Sequence, residues 1–260
     1  MDVDFECTQC GKCCHNLKLP LTVKEAITWL SNGHDVQIIC EALTWESDLP
    51  TTDLRSSHKR RRTFVAVSGS MPIRVDVILA ASFNGACPHL QEDMRCGNYS
   101  NRPLVCRIYP AEISPVVQLN IAEKACPPDA WTGDRPSLLR GGSIVDADLL
   151  ALIQESRDTD VRDIGTKEKL CAALELDAVA LTGEGFVIHS PDRADLLVQL
   201  LKLQAEGSSL SAPTDWRIVS DQEATRADLS TKGAASALAS TGQLESFEYL
   251  GFLPSSQPQP

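Results

Sequence analysis

The cysteines near the N-terminus are the feature that most constrains this chain. Four of its ten cysteines lie within residues 7–14, in the stretch CTQCGKCCH, and nine of the ten precede residue 127. With 260 residues and 43% apolar content, the chain can bury a core without covalent cross-links. So dense a group of thiols is therefore expected to hold a metal rather than to form disulfides.

The ends of the chain and its apolar runs indicate a cytoplasmic protein. No basic segment followed by an apolar one opens the sequence, and no apolar run approaches the roughly 20 residues that a membrane-spanning helix needs. We therefore expect the cytoplasm and no membrane partner. In that reducing compartment, thiols stay free unless a metal or a catalytic cycle uses them.

The formal net charge of -11 is uneven, with -2 on residues 1–130 and -9 on residues 131–260. This acidity argues against nucleic acid as the partner, and it leaves a metal ion or cluster and a protein as the expected partners. One basic run, HKRRR at 58–62, is interpreted as a solvated loop before a strand.

The apolar periodicity predicts an α+β fold. In LTVKEAITWL, Thr22 and Glu25 have the spacing of a capping box and start a helix. A second helix is predicted from the helical spacing of Val36, Ile39, Cys40 and Leu43. Strands are predicted at TFVAVSG, PIRVDVILAA and VVQLNIA, and later at GFVIH and WRIVS. Further helices are predicted at 146–157, 166–177 and 191–206, the last capped by Ser190 and followed by Gly207.

The distribution of cysteine predicts the domain organisation. We expect a metal-organised, cysteine-rich domain at 1–130, packed with a mixed helical and strand region at 144–250 that is acidic. The Pro- and Gly-rich stretch at 127–142 separates the two, and residues 251–260 have the composition of a disordered tail.

Eight cysteines are candidate metal ligands, because Cys40 and Cys171 lie in apolar patterns and are assigned to the core. The CxxCxxC spacing lets successive sulfurs turn toward one centre, and Gly11 permits the positive φ that such a turn needs. Adjacent Cys13 and Cys14 are expected to point in different directions, so that one of them serves a second centre; one site and two sites both remain open. The candidate ligands are Cys7, Cys10, Cys13, Cys14, Cys87, Cys96, Cys106 and Cys126.

The complete pattern reads CxxCxxCC, then CPxL, then CxxYxxRPxxCRxxP, and it resembles the YkgJ-type cysteine-cluster family with its CxxCxxCC domain. The resemblance covers the first half of the chain and implies chelation of zinc or iron. The cluster is also similar to one in flagellin lysine N-methylases, which implies a metal-dependent modifying enzyme as the alternative; a metal carrier is a third interpretation. The matching residues are Cys7, Cys10, Cys13, Cys14, Cys87, Pro88, Leu90, Cys96, Tyr99, Arg102, Pro103, Cys106, Arg107 and Pro110.

The residues around the candidate ligands indicate the kind of centre. Tyr99, Arg102 and Arg107 are expected to lie beside the ligands and to support the negatively charged thiolates by hydrogen bonds and charge, without binding the metal themselves. His15 and His89 are interpreted as neighbours rather than ligands. A 4Fe-4S cluster or zinc is expected, with iron-sulfur favoured because every candidate ligand is a thiol. No Gly-rich cofactor loop and no Ser/His/Asp constellation identifies a catalytic residue.

Overall fold

The computed structural model describes residues 1–44, 53–206, 215–239 and 246–252. Helices and strands are both abundant in these ranges, which confirms the predicted α+β class. The helices are α1 (Val23–Ser31), α2 (Leu54–Arg60), α3 (Leu104–Ile108), α4 (Ala147–Ala173), α5 (Arg193–Glu206) and α6 (Glu223–Thr231). A three-stranded sheet contains β1 (Val3–Asp4), β6 (Ser137–Arg140) and β7 (Ser143–Ile144). A nine-stranded sheet contains β2 (His15–Leu21), β3 (Val36–Thr44), β4 (Thr63–Ser68), β5 (Met71–Ala86), β8 (Ala178–Leu181), β9 (Gly185–His189), β10 (Arg217–Ser220), β11 (Ser236–Leu238) and β12 (Phe247–Gly251).

The large sheet is built around β3. This strand pairs antiparallel with β5 on one side and, on the other, parallel with β8 and antiparallel with β9. The main path runs β11-β10-β8-β3-β5-β2, with β4 also paired to β5 and β12 to β9. Strands from the cysteine-rich range and from the acidic range therefore share one sheet, so the two ranges pack together as expected.

The predicted helix through Val36 and Leu43 is wrong, because these residues form β3. Six of the nine positions of this strand are apolar or cysteine, and Ile38, Cys40 and Ala42 have no exposed surface. A strand buried on both faces lacks the alternation that marks a half-exposed one, so helical spacing can arise in it by chance. The assignment of Cys40 to the core is correct.

Two predicted helices, 146–157 and 166–177, are one continuous helix, α4. Between the two predicted ranges, Ile164 packs against the main core and holds this part of the helix in place. Helix α5 begins at Arg193 rather than Pro191, and its cap is the side chain of Asp192, which accepts hydrogen bonds from the backbone of Ala194 and Asp195. Gly207 lies outside the described residues, as does the predicted tail from residue 253 onward.

Two further expectations are corrected. The predicted strand VVQLNIA has no strand pairing; it ends in a 3-10 turn over Ile121–Glu123, where the Asn120 side chain accepts a hydrogen bond from the amide of Ala122. The basic run 58–62 is not a loop but the end of α2 and its exit into β4. Lys59 pairs with Glu41 at 3.0 Å and Arg62 with Asp76 at 2.8 Å, so buried carboxylates on β3 and β5 fix this segment.

Two hydrophobic clusters meet at the short helix α3. The main core lies against the large sheet, and Val105 and Cys106 of α3 pack on its edge. The second core contains Leu104 and Ile108 of α3, together with Leu149 and Ile153 of α4 and residues of the small sheet. Because both cores hold α3, the position of this helix depends on residues from both halves of the chain.

The first turn of α1 is held by a residue from α4. The backbone amide of Val23 donates to the Asp163 carboxylate at 2.7 Å, and the predicted capping box of Thr22 and Glu25 is present. Burial raises the pKa of Asp163, which is consistent with a carboxyl group packed between two helices.

Replacing Asp163 should therefore weaken the docking of α1 on α4. We expect Asp163→Ala to lower the free energy of unfolding by about 1–2 kcal/mol, because an amide group at a helix N-terminus loses its acceptor. Urea denaturation measures the loss. Glu155→Ala, which removes an exposed carboxylate from the same helix, is the matched control and should change stability by less than about 0.5 kcal/mol. Equal losses in the two variants would contradict this role.

Candidate metal centre

All eight candidate cysteines line one cavity with a volume of about 270 Å³. They come from four separate segments of the chain: the N-terminal turn, the end of β5 and its following loop, α3, and the segment before residue 127. The two cysteines assigned to the core, Cys40 and Cys171, are buried at 0% and 1% exposure and do not line this cavity. The sequence-predicted division of the ten thiols into eight and two thus matches their placement.

The N-terminal turn packs tightly against the loop that follows β5. Gly11 has a φ of +67°, and a Cβ atom at this position would lie 2.4 Å from the carbonyl oxygen of Met94. The amide of Cys14 donates to the carbonyl of Gly11 at 2.9 Å and closes the turn. Glycine is thus needed at position 11 both for the backbone conformation and for contact with the second cysteine segment.

Backbone pairing extends from the sheet into the site. Next to the paired residues His15 and Ala86, the amide of Cys87 donates to the carbonyl of Cys14 at 2.8 Å. Beyond Cys87 the chain folds back on itself, since Leu90 and Cys96 form an isolated antiparallel bridge. This hairpin returns Cys96 toward Cys87.

Helix α3 carries Cys106 and is attached to α1 by one carboxylate. Glu25 accepts a hydrogen bond from the amide of Thr22 at 2.9 Å and another from the amide of Leu104 at 2.7 Å. Glu25 of the α1 capping box therefore also accepts a hydrogen bond from the first amide of α3. Sequence spacing predicted the first of these bonds but gave no signal for the second.

Cys126 is placed by contacts with the N-terminal strand and with Tyr109. The amide of Glu6 donates to the carbonyl of Ala130 at 3.1 Å, which brings residues 126–130 beside the first cysteines. The hydroxyl of Tyr109 accepts from the amide of Ala125 at 2.8 Å and also hydrogen-bonds Cys126. Tyr109 lines the cavity and was not singled out in the sequence, where only its place within the CRxxP run marked it.

The thiols influence one another strongly. A hydrogen bond with Cys14 lowers the pKa of Cys13 to about 7, and the nearby Arg102 guanidinium acts in the same direction. The same bond raises the pKa of Cys14 far above its usual range, and burial raises it further. The expectation that these adjacent side chains point in different directions is therefore wrong, because the two thiols meet.

Burial is the main influence on three further thiols, those of Cys87, Cys106 and Cys126. It raises the pKa of Cys106 to about 12 and that of Cys126 to about 11, and it raises the pKa of Cys87 as well. At neutral pH these three groups are protonated in the metal-free chain. A metal ion that takes their sulfur atoms must displace those protons.

The predicted supporting residues occupy different places. Arg102 lines the cavity, with its guanidinium carbon 3.6 Å from the ring centroid of Tyr99 and its Nε donating to the Tyr99 carbonyl at 2.9 Å. Tyr99 lines the cavity too. Arg107 is exposed on α3 and does not line it. His15 opens β2 and does not line the cavity either.

One wall of the cavity is aromatic, which the cysteine pattern did not indicate. Trp29 stacks with Phe83 at 6.3 Å between centroids and meets the edge of His89 at 5.1 Å. His89 also contacts His34, at 5.5 Å. Burial and the adjacent His34 lower the pKa of His89, which is consistent with a neutral ring that packs within this wall.

The donor set fits a thiophilic metal, although the ligand geometry is not formed in this arrangement. Among the described residues, no three His, Cys, Asp or Glu side chains stand in position to hold one ion. Ligation therefore requires rotation of the thiols, each of which turns about a single χ1 torsion. The hydroxyl of Thr8 lines the cavity and is buried without a hydrogen-bond partner in the described ranges, so it is free to donate to a bound sulfur.

Comparison with known proteins identifies the first half of the chain. Residues 6–127 match the family model "CxxCxxCC: Putative zinc- or iron-chelating domain". This range is similar to the CxxCxxCC domain. The resemblance predicted from the motif residues is thereby confirmed, and the matched range contains all eight cysteines of the cavity.

No significant match to the chain is found among curated proteins or among solved structures. The matched model therefore supports zinc or iron chelation and no finer activity. In the ranges that the structure describes, none of the helices combines the length and the apolar character needed to cross a bilayer.

The contact between Gly11 and Met94 can be tested by adding one methyl group. Gly11→Ala should lower the free energy of unfolding, measured by chemical denaturation, because the new Cβ collides with backbone and the positive φ is strained. Gly183→Ala is the matched control, since Gly183 also has positive φ, +88°, but a Cβ there meets nothing within 4 Å. We expect about 1–2 kcal/mol for the control and about 1–3 kcal/mol more for Gly11→Ala. Equal losses would show that the two cysteine segments do not meet at Gly11.

Proposed function

We propose that this chain is a cytoplasmic metal-binding protein that holds iron, as an iron-sulfur cluster, or zinc through clustered thiolates. The observation that carries the proposal is that eight cysteines, drawn from 120 residues of sequence, line a single cavity. The proposed ligands are Cys7, Cys10, Cys13, Cys14, Cys87, Cys96, Cys106 and Cys126.

The lining of the cavity supports a soft metal ion. Among the described residues, no Asp or Glu side chain lines it, and His89 is the single histidine that does. Magnesium and calcium prefer carboxylate and carbonyl oxygens, whereas thiolates select zinc, Cu(I) and iron-sulfur clusters. The guanidinium of Arg102 would offset part of the negative charge that ligating thiolates carry.

Iron-sulfur is favoured over zinc by the order of the ligands. The run CxxCxxC has the spacing of bacterial iron-sulfur proteins, and the cavity wall offers no second histidine of the kind found in mixed Cys/His zinc sites. A bound iron-sulfur cluster would supply one-electron redox chemistry, whereas zinc with four thiolates would be structural. The cysteine side chains would hold either group, and Thr8 and Tyr109 would donate hydrogen bonds to sulfur.

A modifying enzyme remains the second candidate, because the aromatic wall offers room for an organic substrate. The indole Nε1 of Trp29 is buried and has no hydrogen-bond partner in the described ranges, so a donor is available there. Equilibrium binding of S-adenosylmethionine to the purified chain would favour a methylase. Transfer of bound metal to an acceptor protein would favour a carrier instead.

The acidic region 144–250 has a different proposed role. We place the boundary of the metal domain near residue 130 and expect the rest to complete the core and to present a surface to a protein partner. Val198 and Leu201 of α5 are 46% and 45% exposed, which gives that surface an apolar component.

Metal and sulfide analysis tests the proposal. Protein purified without oxygen should be coloured and contain iron with acid-labile sulfide, because thiolate-to-iron charge transfer absorbs visible light. Cys96→Ser should lose at least half of the bound metal, whereas Cys171→Ser, a buried thiol outside the cavity, should retain it. Zinc without sulfide would assign the site to zinc. Absence of both metals from protein purified anaerobically, and failure to bind either on addition, would contradict metal binding.

Removing the metal should loosen one part of the chain more than another. Residues 87–103 contain few buried side chains, so little burial offsets the entropy lost when they are ordered. After complete chelation, backbone hydrogen exchange in 87–126 should become at least tenfold faster. Exchange in β8 and β10, whose residues are largely buried in the sheet, should stay unchanged. Unaltered exchange in 87–126 would show that metal and fold are not coupled.

A further inference from the structure

We propose that the cavity holds two adjoining metal centres, each bound by four thiolates from its own set of cysteines. This rests on the metal-binding function proposed above. The N-terminal set is Cys7, Cys10, Cys13 and Cys126. The hairpin set is Cys14, Cys87, Cys96 and Cys106.

The division into fours follows from coordination chemistry and from the number of thiols. One tetrahedral zinc ion or one 4Fe-4S cluster takes four protein ligands, so eight thiols in one cavity suit two centres. The remaining question is which thiols share a centre, and we base the grouping on the backbone and electrostatic contacts between the cysteine segments.

The hairpin set is held together by the sheet and by its edge. The amide of Cys87 donates to the carbonyl of Cys14 at 2.8 Å, and the bridge between Leu90 and Cys96 returns the chain toward Cys87. Cys106 joins this group because α3 packs against β2, the strand that begins directly after Cys14. The thiol charges that act on Cys106 are those of Cys13, Cys87 and Cys96, two of which belong to the hairpin set.

The N-terminal set is held by a different contact. The hydrogen bond from Glu6 to Ala130 places Cys7, the next residue, beside the segment that contains Cys126. Cys126 is in electrostatic contact with Cys13, Cys10 and Cys7, the three cysteines of the CxxCxxC run. One remote cysteine thus completes that run to four ligands.

Cys13 and Cys14 mark the boundary between the sets. Their thiols hydrogen-bond each other, so the two centres would be neighbours rather than separate sites. Apart from Cys13, the thiols that act on Cys14 are Cys87 and Cys106, both of the hairpin set. Cys13 acts on Cys87 and Cys106 and also on Cys126, so it faces both sets. Arg102 acts on both Cys13 and Cys106, and its positive charge at the boundary reduces the repulsion between two negatively charged centres.

The test compares double variants that remove the same number of thiols. Metal-free full-length chain is titrated with Co²⁺ without oxygen, because four-thiolate Co²⁺ has intense charge-transfer and tetrahedral d-d absorption. The unsubstituted chain should bind two Co²⁺. Cys7→Ser/Cys126→Ser, within the N-terminal set, should keep one Co²⁺ with the four-thiolate spectrum, and so should Cys87→Ser/Cys96→Ser, within the hairpin set.

The decisive variant removes one thiol from each set. Cys96→Ser/Cys126→Ser should retain no Co²⁺ with a four-thiolate spectrum, although it has as many thiols as the other two doubles. Circular dichroism and hydrogen exchange in β8 and β10 check that each variant is folded, and the Cys40→Ser/Cys171→Ser variant should still bind two ions. Each set has its own within-set double variant, so the assignment is still tested if one of these two variants fails to fold.

Different failures have different meanings. A single Co²⁺ in the unsubstituted chain, or the same four-thiolate binding in all three doubles, would overturn the two-centre assignment and leave metal binding intact. No binding of Co²⁺, together with no metal in protein purified anaerobically, would overturn both proposals.

Discussion

The hydrogen bond from the amide of Cys87 to the carbonyl of Cys14 joins the scaffold to the site. It continues the pairing of β2 with β5, and β5 in turn pairs with β3 at the centre of the sheet. The register of these strands therefore decides which thiols face one another. A shift of one residue would turn each side chain of β2 to the opposite face and would separate the N-terminal turn from the hairpin.

The composition of the site was largely predictable from the sequence, but its walls were not. The eight cysteines, Tyr99 and Arg102 all line the cavity. They were predictable because residue type and spacing are enough to recognise a chelating motif. Trp29 and Tyr109 reach the same cavity from elements whose positions depend on tertiary packing. Arg107 follows Cys106 directly in the motif, yet it lies on the exposed side of α3, since neighbouring residues of a helix point about 100° apart.

The fold was predictable where one face of an element is exposed. Helix α1 has a capping box and one buried face, and β5 is bounded by turn residues, so both were found. Strand β3 was missed because it is buried on both faces. Helix α4 was predicted as two helices; Gly165 lowers helix propensity there, but the packing of Ile164 against the main core keeps the helix continuous. Local sequence does not show which distant residues an element packs against, and that packing decides the structure of both elements.

The topology of the large sheet also sets the order in which the protein can mature on the ribosome. All eight cysteines of the cavity have been synthesised by residue 126, but β8, β9 and β10, which complete the sheet beside β3, begin only at residue 178. The last of these thiols is consequently synthesised some fifty residues before the first of these strands begins. A nascent chain thus passes through a stage at which all of its candidate ligands are present while the sheet that positions them is incomplete.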